Sequence, residues 1–305
     1  MNAADVAHEF GFQDVFVLRP DRFIHYQHRF KNNAIHSGGR SLCADVQLRF
    51  PRANAILALI WPYTPFAETV PLCSNYIPAN AAYQAAGHVL ARLEEQGVYG
   101  ARVNVPVREL LLRGGQGVAL KNGLTAMPAY GTRFTIQTLA VELAEPTYDE
   151  AEALGACAGC NACVRACPAA AIGEDGFDFQ KCLRAHMGKE VMPEWVMNRM
   201  TKMLGCEICQ CCCPYNAGQD AIGELPVAFS PERLLQNDTE DAAGLIGANM
   251  ASGGRLQAHA AVMAAHGGRR DLLPLLEAMR EDLREPVRAA AHFAISRLRN
   301  EECMV

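Results

Sequence analysis

Near the start of the chain, apolar residues recur at helical spacing over Ala3 to Phe10, and the compact apolar run Val15 to Leu18 predicts a strand. The run Ala55 to Trp61 (AILALIW) is apolar throughout, short and followed by Pro62, which predicts a buried strand. Over Ala81 to Glu95 the apolar residues Tyr83, Ala86, Val89, Leu90 and Leu93 share a helical face, and Gly97 marks a stop. Gly114, Gly115, Gln116 and Gly117 signal a loop, and Thr132 to Leu143 (TRFTIQTLAVEL) reads as a strand. From Arg255 the last 51 residues fit three short amphipathic helices. Leu272, Leu275, Leu276 and Met279 mark one apolar face, and Val287, Ala291, Ala294, Ile295 and Leu298 another, with Pro286 suited to a first turn. Such helix pairs are similar to one and a half HEAT-type repeats, and an ordinary helical cap is the alternative.

Composition narrows the class. Of 305 residues 50% are hydrophobic and 20% charged, which is globular and excludes a largely disordered chain. A net charge of −5 argues against a general nucleic-acid coat. No apolar run approaches the ~20 residues of a membrane helix. The opening MNAADVAHEF lacks the basic start and apolar stretch of a signal peptide, so a soluble, cytoplasmic protein without a membrane partner is expected.

Cysteine changes the picture most. Ten of the thirteen cysteines lie between Cys157 and Cys213. In a cytosolic chain such clustering points to metal before disulfides. The first run, Cys157-x2-Cys160-x2-Cys163-x3-Cys167-Pro168, has the bacterial ferredoxin spacing, in which the fourth cysteine serves the other cluster. Three thiolates two residues apart on a tight loop reach three irons of one cubane, and the small residues Ala158, Gly159 and Ala162 let the loop wrap closely. A second run, Cys206-x2-Cys209-x3-Cys213-Pro214, ends in the same Cys-Pro but lacks one cysteine, which Cys182 supplies from upstream with 23 residues intervening. Ligand exchange then gives cluster A to Cys157, Cys160, Cys163 and Cys213, and cluster B to Cys167, Cys182, Cys206 and Cys209. Two zinc sites are the alternative, since four cysteines also bind zinc. Cys211 and Cys212 are surplus, and Cys43, Cys73 and Cys303 read as ordinary thiols.

The order of an α/β domain, a ferredoxin-like module with a split second motif and HEAT-like helices resembles epoxyqueuosine reductase. So does the motif Gly205-Cys206-Glu207-Ile208-Cys209-Gln210-x2-Cys213-Pro214-Tyr215-Asn216. Gly115 to Asn122 is similar to the family's GLGWxGKN segment, with Val118 in place of the Trp, and Phe50-Pro51 through Tyr63-Thr64-Pro65 looks like its apolar strand and following turn. The resemblance implies cobalamin in the N-terminal domain, electrons passed from the clusters to cobalt, and reduction of an epoxide on the queuosine base of tRNA. It also implies that the helical end helps to hold the tRNA. Two departures stand out. The family's proton-donating Asp, in a VDSAP-like stretch, corresponds here to Asn104, and an amide cannot act as a general acid. The family's Arg-Asp-Tyr-His segment is missing, its region reading Ser74 to Tyr83. Glu109, the carboxylate between Arg102 and Leu112, is the fallback proton donor.

Further candidates follow from the residues. Gly115 and Gly117 let backbone approach a phosphate or a corrin edge, and Lys121 and Asn122 just beyond could donate hydrogen bonds to a cofactor. His25, His28 and His36 are ligand types without partner spacing. His186 is a candidate neighbour of cluster B, and Trp195 with Met192, Met197, Met200 and Met203 a candidate apolar cover for it. Arg269, Arg270, Arg284 and Arg288 could meet phosphate, but from Arg255 on eight arginines face seven acidic residues, which reads as solvated helix charge.

The expected organisation is an α/β cofactor or substrate domain over 1–150, a ferredoxin-like double-cluster domain over 151–225, a connector over 226–250 and a HEAT-like helical domain over 251–305. The expected function is an oxidoreductase passing electrons through two [4Fe–4S] clusters to a corrinoid and then a substrate. A flavodoxin- or ferredoxin-type electron donor and, by resemblance, tRNA are the expected partners. The alternatives are an electron-transfer protein serving a protein partner and a non-enzymatic iron–sulfur module.

Overall fold

The computed structural model describes residues 3–26, 42–174 and 176–300. These divide into two compact units, one of Met1–Tyr63 with Pro78–Cys160, the other of Thr64–Ile77 with Asn161–Val305.

The first unit is built on an antiparallel sheet. Helix α1 (Ala3–Glu9) precedes strand β1 (Asp14–Leu18), and the short helix α2 (Val46–Arg49) precedes β2 (Ala55–Pro62). Helix α3 (Tyr76–Glu95), strand β3 (Gly100–Arg102), helix α4 (Val107–Arg113), the paired β4 (Val118–Ala119) and β5 (Thr125–Ala126), and the long β6 (Phe134–Val141) follow. Among the described residues the main sheet has the order β1-β2-β6-β3. The register sets Asp14 opposite Ile60 and Ala55 opposite Val141. Successive side chains of β2 point to opposite faces. Ala55, Leu57 and Leu59 pack with Val6, Ala82, Ala86, Val89 and Leu93, while Ile56 and Ala58 pack with Leu18, Val103, Val105 and Leu110. Both faces are covered, so an unbroken apolar run serves as a strand.

Helix α3 starts five residues before the expected Ala81, because Pro78 lies within its first turn, where proline is tolerated. Its buried face is Ala82, Ala85, Ala86, Val89 and Leu93. Tyr83, expected inside, is 48% exposed, and its ring carries the Arg102 guanidinium 3.9 Å above it.

The second unit begins with short elements: helix α5 (Ala162–Ala166), the paired β7 (Ile172–Gly173) and β8 (Gly176–Phe177), and helices α6 (Leu183–Met187), α7 (Glu194–Met197) and α8 (Ile208–Cys211). The stretch expected to be a connector over 226–250 is instead largely helical, with α9 (Pro231–Leu235), α10 (Glu240–Ile246) and the start of α11 (Ala248–Ala251). Phe229, Leu234, Leu235, Ala242 and Ile246 enter the core there, and Ser230 caps α9 by accepting from the Arg233 N–H. The end of the chain forms α12 (Arg255–His266), α13 (Leu273–Ala278) and α14 (Glu285–Asn300). Every residue of α12 from Leu256 to Ala265 is buried, the pattern of a helix surrounded on all sides. Val287, Ala291, Ala294, Ile295 and Leu298 of α14 are buried as their spacing requires. Met192, Met197, Met200 and Met203 join this same core, with Trp195 and Cys206 packed against it. Among the described residues, no helix is long and apolar enough to cross a membrane.

Candidate iron–sulfur site

Cys167, Cys182, Cys206 and Cys209 all belong to the second unit, and each is partly exposed. Cys167 ends α5 with extended backbone, and its Sγ accepts the Ala171 N–H at 3.3 Å. Cys182 sits at the junction of a single 3-10 turn, Phe179–Lys181, and α6. Asp178 sets that turn by accepting from the Gln180 N–H. Cys209 lies on α8 and Cys206 two residues before that helix.

The electrostatics put these four thiols in one neighbourhood. Burial pushes the Cys182 thiol up, and Cys167 adds to it. Burial pushes Cys206 up to about 11, helped by Cys182 and Cys167. Cys209 is raised first by burial and then by Cys206, Cys182 and Cys167. Thiols that oppose one another's ionisation in this way are the donor set a cationic iron core neutralises. Cys212 is likewise raised by burial and then by Cys163, with Cys213 and Cys211 contributing, so the surplus Cys212 lies beside two residues expected to serve cluster A. Cys211 and Cys212 line a cavity of about 260 Å³ with Thr201, Lys202, Ile208 and Glu68.

Cys157 and Cys160 belong to the first unit. The strand edge at Ala119 holds their loop, since Cys157 N–H donates to Ala119 O at 2.9 Å and Ala119 N–H to Gly155 O at 2.9 Å. The Lys121 N–H donates to Cys157 Sγ at 3.3 Å. Gly159, between the two cysteines, has φ +71, a left-handed turn that glycine adopts without strain.

The other residues singled out by sequence have different placements. A Cβ on Gly115 would lie 2.2 Å from Ala151 O, and one on Gly117 2.3 Å from Thr125 Cγ2. On the side where a Cβ would stand, the space these glycines free is filled by the chain itself. Asn122 is buried, and its Oδ1 accepts the Leu124 N–H at 3.1 Å, closing a turn. Asn104 is exposed on the loop between β3 and α4, where its carbonyl accepts from the Cys43 N–H at 2.7 Å. Glu109 on α4 accepts the Tyr26 N–H at 2.9 Å and lines a cavity of about 440 Å³ with His25, Tyr26, Arg108, Leu112 and Arg113. His28, His36 and Cys303 lie outside the described residues. His186 bonds the Gln180 carbonyl at 2.7 Å and meets the Trp195 ring edge-on, a packing role in the first instance. Arg269 is engaged by Glu232 and Asp271, and Arg284 by Asp282. Arg288 donates to the Asp282 and Leu283 carbonyls.

Sequence reasoning missed one feature beside Cys206. Ser74, Lys202 and Glu207, all buried, form a polar cluster around the residue that follows Cys206. Only Glu207 stood in a motif, and its partner Ser74 is 133 residues away in sequence.

The fold and cysteine set define an iron–sulfur protein: residues 156–216 match the family described as a 4Fe-4S double cluster binding domain, a module for two [4Fe–4S] clusters. Beyond that module the chain resembles the epoxyqueuosine reductases. It is 32% identical over 220 residues to the epoxyqueuosine reductase of Lactococcus garvieae, which is 67% of this chain and 61% of that protein. It is 27% identical over 208 residues to that of Staphylococcus aureus, 64% of this chain and 54% of that protein. The match thus spans less than two thirds of these relatives' own length. In fold, the epoxyqueuosine reductase of Streptococcus thermophilus superposes with a TM-score of 0.78 at 20% identity, covering 98% of this chain and 90% of that one. An epoxyqueuosine reductase solved with a modified tRNA-Tyr stem loop superposes with a TM-score of 0.78 at 19% identity, covering 97% and 89%.

Proposed function

We propose that the chain is an iron–sulfur oxidoreductase of the epoxyqueuosine-reductase type. The observation that carries this reading is the placement of Cys167, Cys182, Cys206 and Cys209 in one unit, within a stretch that matches a double-cluster module. These four hold cluster B, and Cys157, Cys160, Cys163 and Cys213 hold cluster A, the latter set resting on spacing. The clusters supply one-electron storage, and a flavodoxin- or ferredoxin-type protein fills them. The chain's own residues position them: the Lys121 and Ala171 amides donate to Cys157 and Cys167 sulfur. Amide donors to sulfur stabilise its negative charge and raise cluster potentials.

The substrate by resemblance is an epoxide on a tRNA base, with the HEAT-like helices holding the RNA. Glu109 is the proton donor in place of Asn104, because its carboxylate faces a cavity while Asn104 carries an amide. A corrinoid, carried over from the same resemblance, would supply a cobalt centre able to pass electrons to carbon. Gly115, Gly117 and Asn122 would meet it on the side not taken by Ala151, Thr125 and the Leu124 amide, so its binding is the part to test first. The test is anaerobic reconstitution, iron counting and a cobalamin titration read by corrin absorption and cobalt EPR. Full cluster loading with cobalt reduced through the clusters supports the whole reading. Full loading without cobalamin binding removes the corrinoid and favours the second reading, electron delivery to a protein partner, which the Asn104 substitution motivates.

A further inference from the structure

Glu207 lies between two cysteines of cluster B and is 1% exposed. Its carboxylate accepts the Ser74 N–H at 2.9 Å and the Ser74 hydroxyl at 2.8 Å. Lys202 Nζ stands 3.5 Å from Oε2 and donates to Ala67 O at 3.0 Å and Leu72 O at 3.4 Å. The Phe66 N–H donates to the Ser74 hydroxyl at 2.9 Å. Backbone bonds fasten the same strap, since Met203 N–H donates to Pro71 O at 2.8 Å and Cys73 N–H to Met203 O at 3.1 Å. The strap Thr64–Ile77 comes from the N-terminal half of the sequence yet belongs to the second unit.

A fully buried ion pair is costly to desolvate, and apolar residues of similar volume usually serve stability as well or better. Its retention against a ligand loop therefore asks for a local reason. We infer that Glu207, clasped by Ser74 and balanced by Lys202, is a positioning residue that fixes the Cys206–Cys209 loop and sets the charge that cluster B sees. This rests on the reading of Cys167, Cys182, Cys206 and Cys209 as its ligands. Adding an electron to the cluster adds negative charge, which an unbalanced carboxylate opposes and an unbalanced ammonium favours. The two halves of the pair thus act on the potential with opposite sign, which a purely structural contact would not do.

The test is an EPR-monitored redox titration of the reconstituted, full-length protein and its variants. Glu207→Gln raises the midpoint of one cluster and Lys202→Met lowers it. Each changes the reduction equilibrium about tenfold or more, ~59 mV for one electron. The double variant returns close to the parent, and the other cluster does not move. Ser74→Ala keeps both charges but removes one donor from the carboxylate, and lowers the midpoint by less than Lys202→Met. Single variants that lose half the iron while the other cluster's signal persists support the positioning role as well. Unchanged midpoints, or shifts of the same sign in both single variants, overturn the inference. If the charge variants do not fold, Ser74→Ala decides alone, and an unchanged midpoint there overturns it. A parent protein that retains no iron overturns the iron–sulfur reading itself, and this inference with it.

Discussion

In strand β2 of the first unit, Ala55 to Ile60 are all buried, and eight residue pairs from Ala55↔Val141 to Pro62↔Phe134 lock it to β6. Between Ala162 and Cys211 in the second unit, helices run four or five residues and strands two. Helices that short do not sustain themselves. The first region holds its shape by burying both faces of a sheet. The second has little ladder to rely on, so its cysteine loops lean on a methionine-lined core and, in the proposed reading, on bound clusters. A strand register tolerates the loss of a ligand elsewhere, whereas a loop that exists to carry thiolates does not.

Removing a ligand presses hardest on that contrast. Cys182→Ser takes away the fourth ligand proposed for cluster B and should cost about half of the bound iron, measured as iron and acid-labile sulfide after anaerobic reconstitution. Hydrogen exchange of the β2 and β6 amides should stay at the parent level. Loss of their protection in parallel would mean that the two regions are one cooperative body. Leu57→Ala, at a fully buried position, is the reverse experiment. It should destabilise by about 2–5 kcal/mol in denaturant titration while iron per folded chain stays constant.

Legibility followed the same divide. Ala55 to Trp61 could be read as a strand because burial on both faces leaves no polar position to confuse the period. The cysteine ladder was legible because cluster geometry dictates short, fixed spacings. The segment 226–250 was not, since the polar run Gln236 to Asp241 interrupts the apolar period although Leu234, Leu235, Ala242 and Ile246 on either side are buried. Gly115 and Gly117 were legible as places of close approach, but sequence cannot say whether a ligand or Ala151 and Thr125 approach them. The Ser74–Glu207 clasp could not be read because its partners meet only after folding, across 133 residues.

His259 gives the second unit a pH dependence with no counterpart in the β2–β6 ladder. Its Nδ1 accepts the Leu204 N–H at 2.9 Å, so the proton sits on Nε2 and is given to Met187 O at 3.1 Å. Burial holds the imidazole neutral, its pKa lowered from 6.5 to about 4. Below pH 6.5 the unfolded chain takes up a proton that the native chain refuses. Stability is therefore full above about pH 6.5 and falls toward pH 4, by about 3 kcal/mol at most. His259→Gln, whose amide can both accept and donate without titrating, should flatten this slope in denaturation curves between those pH values. An unchanged slope would assign the pH dependence elsewhere.

A last contrast separates two glycines with the same backbone demand. Gly115 has φ +69 and Gly159 has φ +71, so alanine at either must enter the left-handed region, at about 1–2 kcal/mol. At Gly159 a Cβ meets nothing within 4 Å, so Gly159→Ala should show that backbone cost alone. At Gly115 a Cβ would also press on the Ala151 carbonyl at 2.2 Å, so Gly115→Ala should lose a further ~1–3 kcal/mol to overpacking. Both are read as midpoint shifts in thermal unfolding of the reconstituted protein. Equal shifts would mean that the chain beside Gly115 yields freely, and the space there could then open to a ligand after all. The expected inequality means that the chain beside Gly115 holds its place, and that the glycine there answers to Ala151.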